Sequence, residues 1–173
     1  RLTKEYKPKH FRQNWYEDDY IELGKKHLPE DKKNIVNTAV DHRDKIMSYP
    51  MDLDNYGLIH TDLHFGNMYY DGSVITFFDW DDASYKHFIS DIAIIIFYTF
   101  GISRLSDTEI EDKTVAFLRV FIKGYEQENI LDRNWYKELN VFLRLRMIIL
   151  YIVIHAAGSE MLESPFGKMY MEK

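Results

Sequence analysis

The chain has 173 residues, enough for one domain or one large lobe with a buried core. Its 46% apolar and 16% aromatic content excludes a disordered chain. The absence of cysteine excludes a disulfide framework and thiolate chemistry, and fits a reducing, cytoplasmic compartment. The net charge of −6 is concentrated in residues 49–91, which carry eight aspartates and one lysine, while the flanking segments are nearly balanced. A basic footprint for nucleic acid is therefore missing. The pattern suits a metal site or a cationic small substrate, or else an acidic solvated surface.

The first ten residues, RLTKEYKPKH, are basic with no apolar run behind them, so no signal peptide is expected. Residues 15–28 read as a short amphipathic helix, with Trp15, Tyr16, Tyr20 and Leu23 on one side. Pro29 breaks it, and Pro-Glu-Asp opens a second helix that carries Ile35, Val36, Ala39, Val40, Ile46 and Met47 at helical spacing. YGLIH is a strand candidate. NMYYD, the turn pair Gly72-Ser73 and VITFFDW read as a β-hairpin, with Met68, Tyr69 and Tyr70 as its core. DDASYKHFI has no clear period and reads as a loop. SDIAIIIFYTFG reads as a core helix, apolar nearly all round, with Ser90 as N-cap and Gly101 as its stop. Helices over roughly 107–127 and 132–157 follow. The second contains VFLRLRMIILYIVIHAA, which carries Arg144, Arg146 and His155 and reads as a buried core helix rather than a membrane span. The expected fold class is mainly α with a small β-hairpin, an α+β lobe.

The chemistry concentrates in LIHTDLHFGNMYYDGSVITFFDWDD, Leu58 to Asp82. Asp62 and Asn67 lie five apart on a loop, with Gly66 between them to permit a tight course. A hairpin turning at Gly72-Ser73 returns Asp79 close to Asn67. Three oxygen-bearing side chains converge, which suits a hard cation such as Mg²⁺. Asp71 is needed only for the turn.

This stretch resembles the aminoglycoside phosphotransferase and choline kinase group of kinase-like small-molecule phosphotransferases. Members of that group read like H-G-D-L-H-x-G-N, then a strand, then I-D-W or I-D-F. SDIAI is similar to the Asp-Leu/Ile-Ala that opens a core helix in the same group. The match runs from about Tyr56 to Ile95, about a quarter of the chain. Thr61 departs from the usual Gly, and Phe65 from the usual Pro. The resemblance implies the C-terminal lobe of a protein-kinase-like fold over residues 1–173, with the catalytic loop and metal-binding hairpin at 57–83. Asp62 would orient the substrate hydroxyl and take its proton. Asn67 and Asp79 would hold Mg²⁺ against the phosphates of ATP or another nucleoside triphosphate. His60 and Asp91 would brace the loop, although Asp91 also reads as an ordinary helix-start carboxylate. His64, Asp81, Asp82 and Glu160 are candidates for substrate contact, with Glu160 and Glu163 placed in a pocket built from the C-terminal helices and tail.

No glycine-rich phosphate loop of either kinase or P-loop type occurs, and 56 mostly helical residues leave no room for a β-rich lobe before the motif. The expectation is therefore that an N-terminal nucleotide lobe lies upstream, and that the 173 residues alone are inactive. Two alternatives stay open. His60, Asp62 and His64 at i, i+2 and i+4, with Asp79, could ligate Zn²⁺ in a hydrolase, or the fold could serve as a non-catalytic binding module. A small hydroxyl-bearing substrate, aminoglycoside-like or choline-like, fits the acidic middle. The sequence indicates neither its identity nor an oligomeric state.

Overall fold

The computed structural model describes residues 4, 6–103 and 105–172. Its central beam is a helix from Leu139–Ala156. Leu139, Phe142, Leu145, Ile148 and Ile152 recur at three- and four-residue spacing along it and are buried. Three helices pack against this apolar stripe: α1 (Tyr20–His27), α2 (Asn34–Met47) and α3 (Ile89–Ile96). Between α2 and α3 lie β1 (Tyr56–Ile59), β2 (Met68–Tyr70), β3 (Ile75–Phe77) and β4 (Ser84–His87). After α3 come α4 (Asp107–Tyr125), a single turn α5 (Asn134–Lys137) and the central helix, α6. The tail forms α7 (Ser159–Glu163) and α8 (Pro165–Met171).

Local chemistry explains most boundaries. Ser106 and Glu109 close a capping box at the start of α4. Ser164 accepts a hydrogen bond from the Gly167 N–H, and Pro165 takes the first position of α8. Helix α3 widens into a π turn over Phe97–Gly101, so the helix expected to stop at Gly101 does so. α6 is long and apolar enough to cross a membrane, but here it packs against α1, α2 and α3.

The structure corrects several expectations. The helix expected over 15–28 is interrupted: Trp15–Glu17 is a 3₁₀ turn, closed when Glu17 accepts the Asn14 N–H at 2.6 Å, and α1 starts only at Tyr20. The helix expected over 132–157 is split into α5 and α6 at Glu138. Ser90 does not cap α3. It lies inside the helix, 2% exposed, and Phe88 holds the cap position. Tyr69 and Tyr70 are not hairpin core, since both are more than 60% exposed. The largest correction is at 84–87, expected as loop. These residues form β4, antiparallel to β1, with Tyr56 opposite His87 and Ile59 opposite Ser84. Ser84, Lys86 and His87 on this strand are buried, so it lacks the polar-apolar alternation of a half-exposed strand. On its other edge the Tyr85 N–H donates to the Gln13 carbonyl at 3.0 Å.

The hairpin β2–β3 is a separate two-stranded unit, with Met68 opposite Phe77 and Tyr70 opposite Ile75. The Asp71 carboxylate accepts the N–H groups of Ser73 and Val74, both at 2.8 Å, and Gly72 adopts φ 99°. These bonds hold the Asp71 carboxyl below the usual carboxylate range.

His87 closes the core above α6. It is fully buried among Tyr56, Trp135 and Phe142, with ring centroids 5.1, 5.2 and 5.7 Å away. Neither ring nitrogen has a hydrogen-bond partner among the described residues, though the Pro50 carbonyl is near enough to favour the charged ring. Burial dominates and pushes the imidazole down to about 4. The unfolded chain therefore takes up this proton first as the pH falls, so the stabilisation is complete above the ordinary histidine value and is lost towards pH 4. We expect His87 alone to account for about 3 kcal/mol of acid destabilisation between pH 7 and 4. Thermal unfolding across that range should show a shallower pH dependence for His87→Leu than for the wild type.

Candidate functional site

The site begins where β1 ends. The His60 and Thr61 N–H groups donate to the two oxygens of Asp91 on α3, each at 2.9 Å. Burial pushes the Asp91 carboxyl up, and the two N–H bonds oppose that shift. Thr61 is left at φ 63°, a left-handed conformation costly for a β-branched residue. This is the position where Gly would be usual, and the backbone shows why. The Thr61 hydroxyl donates to the Asp82 carbonyl, tying the loop to the segment after the hairpin. His60 is 2% exposed, and its Nε2–H donates to the Phe78 carbonyl at 2.9 Å beneath the loop. It thereby links the loop to the end of β3, beside the Trp80 ring.

Asp62 follows the bend. Its Oδ1 accepts from Arg146 Nη2 at 2.6 Å, and its Oδ2 lies 3.3 Å from Asn67 Nδ2 and 3.4 Å from His64 Nε2. Asn67 is 7% exposed, and its Nδ2 also donates to the Asp62 carbonyl at 3.0 Å. Both neighbours of this amide nitrogen are acceptors, which sets the amide orientation and leaves Oδ1 for a cation. The Phe78 N–H donates to the Asn67 carbonyl at 3.2 Å, which brings Asp79, one residue on, alongside. Asp79 is exposed and also left-handed, at φ 63°. An amide oxygen and a carboxylate are the kind of oxygen donors that a hard divalent cation takes.

Gly66 does not serve through a left-handed backbone, which falls at Thr61 and Asp79 instead. A Cβ at Gly66 would lie 2.7 Å from the His64 ring, whose Nδ1 accepts the Gly66 N–H at 3.0 Å. The glycine makes room for this ring to close the loop. No three His, Cys, Asp or Glu residues among those described are grouped to hold a metal. The zinc-hydrolase arrangement therefore finds no support, with the His60 Nε2 turned to a backbone carbonyl.

Arg146 was not singled out by sequence reasoning. It projects from α6, donates to the Tyr98 hydroxyl at 2.5 Å, and its guanidinium carbon lies 5.0 Å from the Tyr98 ring centre. Burial pushes the Tyr98 hydroxyl up, against the pull of the adjacent guanidinium. The available signal was an arginine in an apolar helix, because a buried guanidinium requires an acidic partner. Asp62, Arg146 and Tyr98 line a cavity of about 700 Å³, together with Arg12, Asp18, Asp81, Asp82 and Lys86. Its walls come from α6, β4 and the segment before α1, not from the tail. Glu160 is exposed at the start of α7 and does not line it, and Glu163 pairs with Lys168 at 2.7 Å.

Comparison with known proteins identifies the family. The model of the phosphotransferase enzyme family, APH, matches residues 4–138, and the chain belongs to that family. It is 37% identical over 157 residues to amicoumacin kinase of Bacillus subtilis (strain 168), covering 89% of this chain and 46% of that protein. A solved structure described as amicoumacin kinase hAmiN in complex with AMP-PNP, Ca²⁺ and Ami superposes with a TM-score of 0.83 at 31% identity, over 98% of this chain and 53% of that one. A microcompartment-associated aminopropanol kinase shares the fold, with a TM-score of 0.64 at 22% identity, over 98% of this chain and 52% of that one. The mainly helical, kinase-like fold expected from sequence is thus the fold present. The chain spans about half the length of these relatives.

Asp91→Ala would leave the His60 and Thr61 N–H groups without acceptors. We expect a loss of about 2–4 kcal/mol in urea unfolding. Asp81→Ala, at an exposed carboxylate, should change stability by less than about 0.5 kcal/mol.

Proposed function

We propose that this chain carries the catalytic base, metal ligands and acceptor pocket of an ATP- and Mg²⁺-dependent phosphotransferase that acts on a hydroxyl of a small molecule. The observation that carries this reading is the Asp62 carboxylate. It stands at the wall of the 700 Å³ cavity, held from one side by Arg146 and from the other by Asn67. Such a carboxylate can accept the hydrogen bond of a substrate hydroxyl and fix its oxygen in line with a phosphoryl group. Family membership and the nucleotide and divalent ion named for the hAmiN complex support the same chemistry.

Asn67, through Oδ1, and Asp79 would hold the metal. A bound Mg²⁺ offsets the phosphate charge. The chain's own residues do the rest. Asp62 orients the hydroxyl and receives its proton as the oxygen bonds to the γ-phosphorus and the bond from that phosphorus to the β-phosphate oxygen breaks. Arg146 holds Asp62 at one fixed angle. Asp91 and His60 hold the loop, so the carboxylate need not reorganise as charge develops. The remainder of the nucleotide site is assigned to an N-terminal lobe outside these residues.

The test is phosphotransfer by the full-length protein, read as nucleotide consumption across a panel of small alcohols and amino alcohols. Asp62→Asn should lower kcat about a hundredfold to ten-thousandfold with nucleotide binding retained. Unchanged turnover in Asp62→Asn would overturn the assignment. Nucleotide binding with no turnover of any acceptor would favour a binding module instead.

A further inference from the structure

His64 stands two residues after Asp62, and both nitrogens of its ring are engaged. Nδ1 accepts the Gly66 N–H at 3.0 Å, and Nε2 lies 3.4 Å from Asp62 Oδ2. A ring nitrogen that accepts a backbone N–H carries a lone pair. The proton of the neutral imidazole therefore sits on Nε2, beside the carboxylate. The contact is long, as contacts in catalytic sites commonly are before substrate is bound. Among the described residues Nε2 has no other acceptor. The ring packs against Tyr98, with ring centroids 4.9 Å apart. The Tyr98 hydroxyl also accepts from Arg146, so one side chain of the π turn supports two groups that hold Asp62.

Two other roles suit His64 less well. A substrate contact would place the ring in the cavity, but His64 does not line it. A loop cap would use Nδ1 alone and give no reason for Nε2 to stand beside Asp62. The carboxylate itself lacks a dedicated donor at Oδ2. Arg146 holds Oδ1, and Asn67 Nδ2 is divided between the Asp62 carbonyl at 3.0 Å and Oδ2 at 3.3 Å. Gly66 keeps the ring where it is. Its backbone is not left-handed, so the path of the chain does not demand glycine. A Cβ there would stand 2.7 Å from His64 Cε1 and 2.8 Å from Nδ1, too near for the ring to stay.

We infer that His64 is a positioning residue for phosphotransfer: its Nε2–H fixes Oδ2 of Asp62, and Gly66 is glycine because the ring must fit beside it. This rests on reading Asp62 as the base. It moves His64 from the substrate to the support of that base.

Two amide substitutions separate the ring nitrogens. Asparagine places an acceptor where Nδ1 stands, and glutamine places an N–H donor where Nε2 stands. Turnover by the full-length protein is measured with ATP, Mg²⁺ and whichever small alcohol or amino alcohol reacts fastest. His64→Asn should lower kcat on the order of tenfold with the nucleotide KM unchanged, as loss of one charge-assisted contact implies. His64→Gln should recover most of that loss. Gly66→Ala should lower kcat as much as His64→Ala, and the double variant should lose no more than either. Nitrogen-15 spectra of histidine-labelled protein, which need no acceptor, should show His64 protonated on Nε2. Wild-type turnover in His64→Asn, a His64→Gln protein slower than His64→Asn, additive losses in the double variant, or a proton on Nδ1 alone would each overturn the inference. Loss of turnover in Asp62→Asn with none in His64→Asn would overturn it while leaving the base assignment standing.

Discussion

The carboxylate of Asp91 ties the first turn of α3 to the end of β1 through two N–H bonds, and the candidate site hangs from that clamp. Two donors from consecutive residues can reach one carboxylate only if the chain bends sharply, and the bend is the left-handed Thr61. A conformation so unfavourable for threonine persists when its surroundings over-determine it. Here the surroundings are the Asp91 clamp, the Thr61 hydroxyl on the Asp82 carbonyl, and His60 on the Phe78 carbonyl. Together they join the Asp62 loop, the hairpin end and α3, and so set where Asp62, Asn67 and Asp79 stand.

The electrostatics then divide the acidic segment by partner. Asp71 is occupied by turn N–H groups and Asp91 by loop N–H groups. Asp62 is held by Arg146. Asp79, Asp81 and Asp82 stay exposed. Excess negative charge in one short segment is tolerable because its members are discharged in different ways, and the undischarged ones face solvent.

Features set by local sequence were legible in advance. Asp62, Asn67 and Asp79 lie within eighteen residues of one another, and turn chemistry at Asp71 and Gly72 brings them together. The core helix at 89–101 was legible from its unbroken apolar run. What escaped depends on distant partners. β4 exists because β1 pairs with it 28 residues earlier, and its Ser84, Lys86 and His87 carry no apolar signal. Arg146 lies 84 residues from Asp62, and only the folded packing of α6 beside the loop joins them. The break at Asp18 and Asp19 was hidden because the aromatic spacing around it still suits one helix.

The most direct measurement is a crystal structure of the full-length protein with Mg²⁺ and a non-hydrolysable ATP analogue. The metal should lie about 2.0–2.1 Å from Asn67 Oδ1 and an Asp79 carboxylate oxygen. Asp62 should stay off the metal and face the cavity. A metal bound instead by Asp62 and His64, or a nucleotide complex in which Asn67 and Asp79 touch no metal, would contradict the assignment.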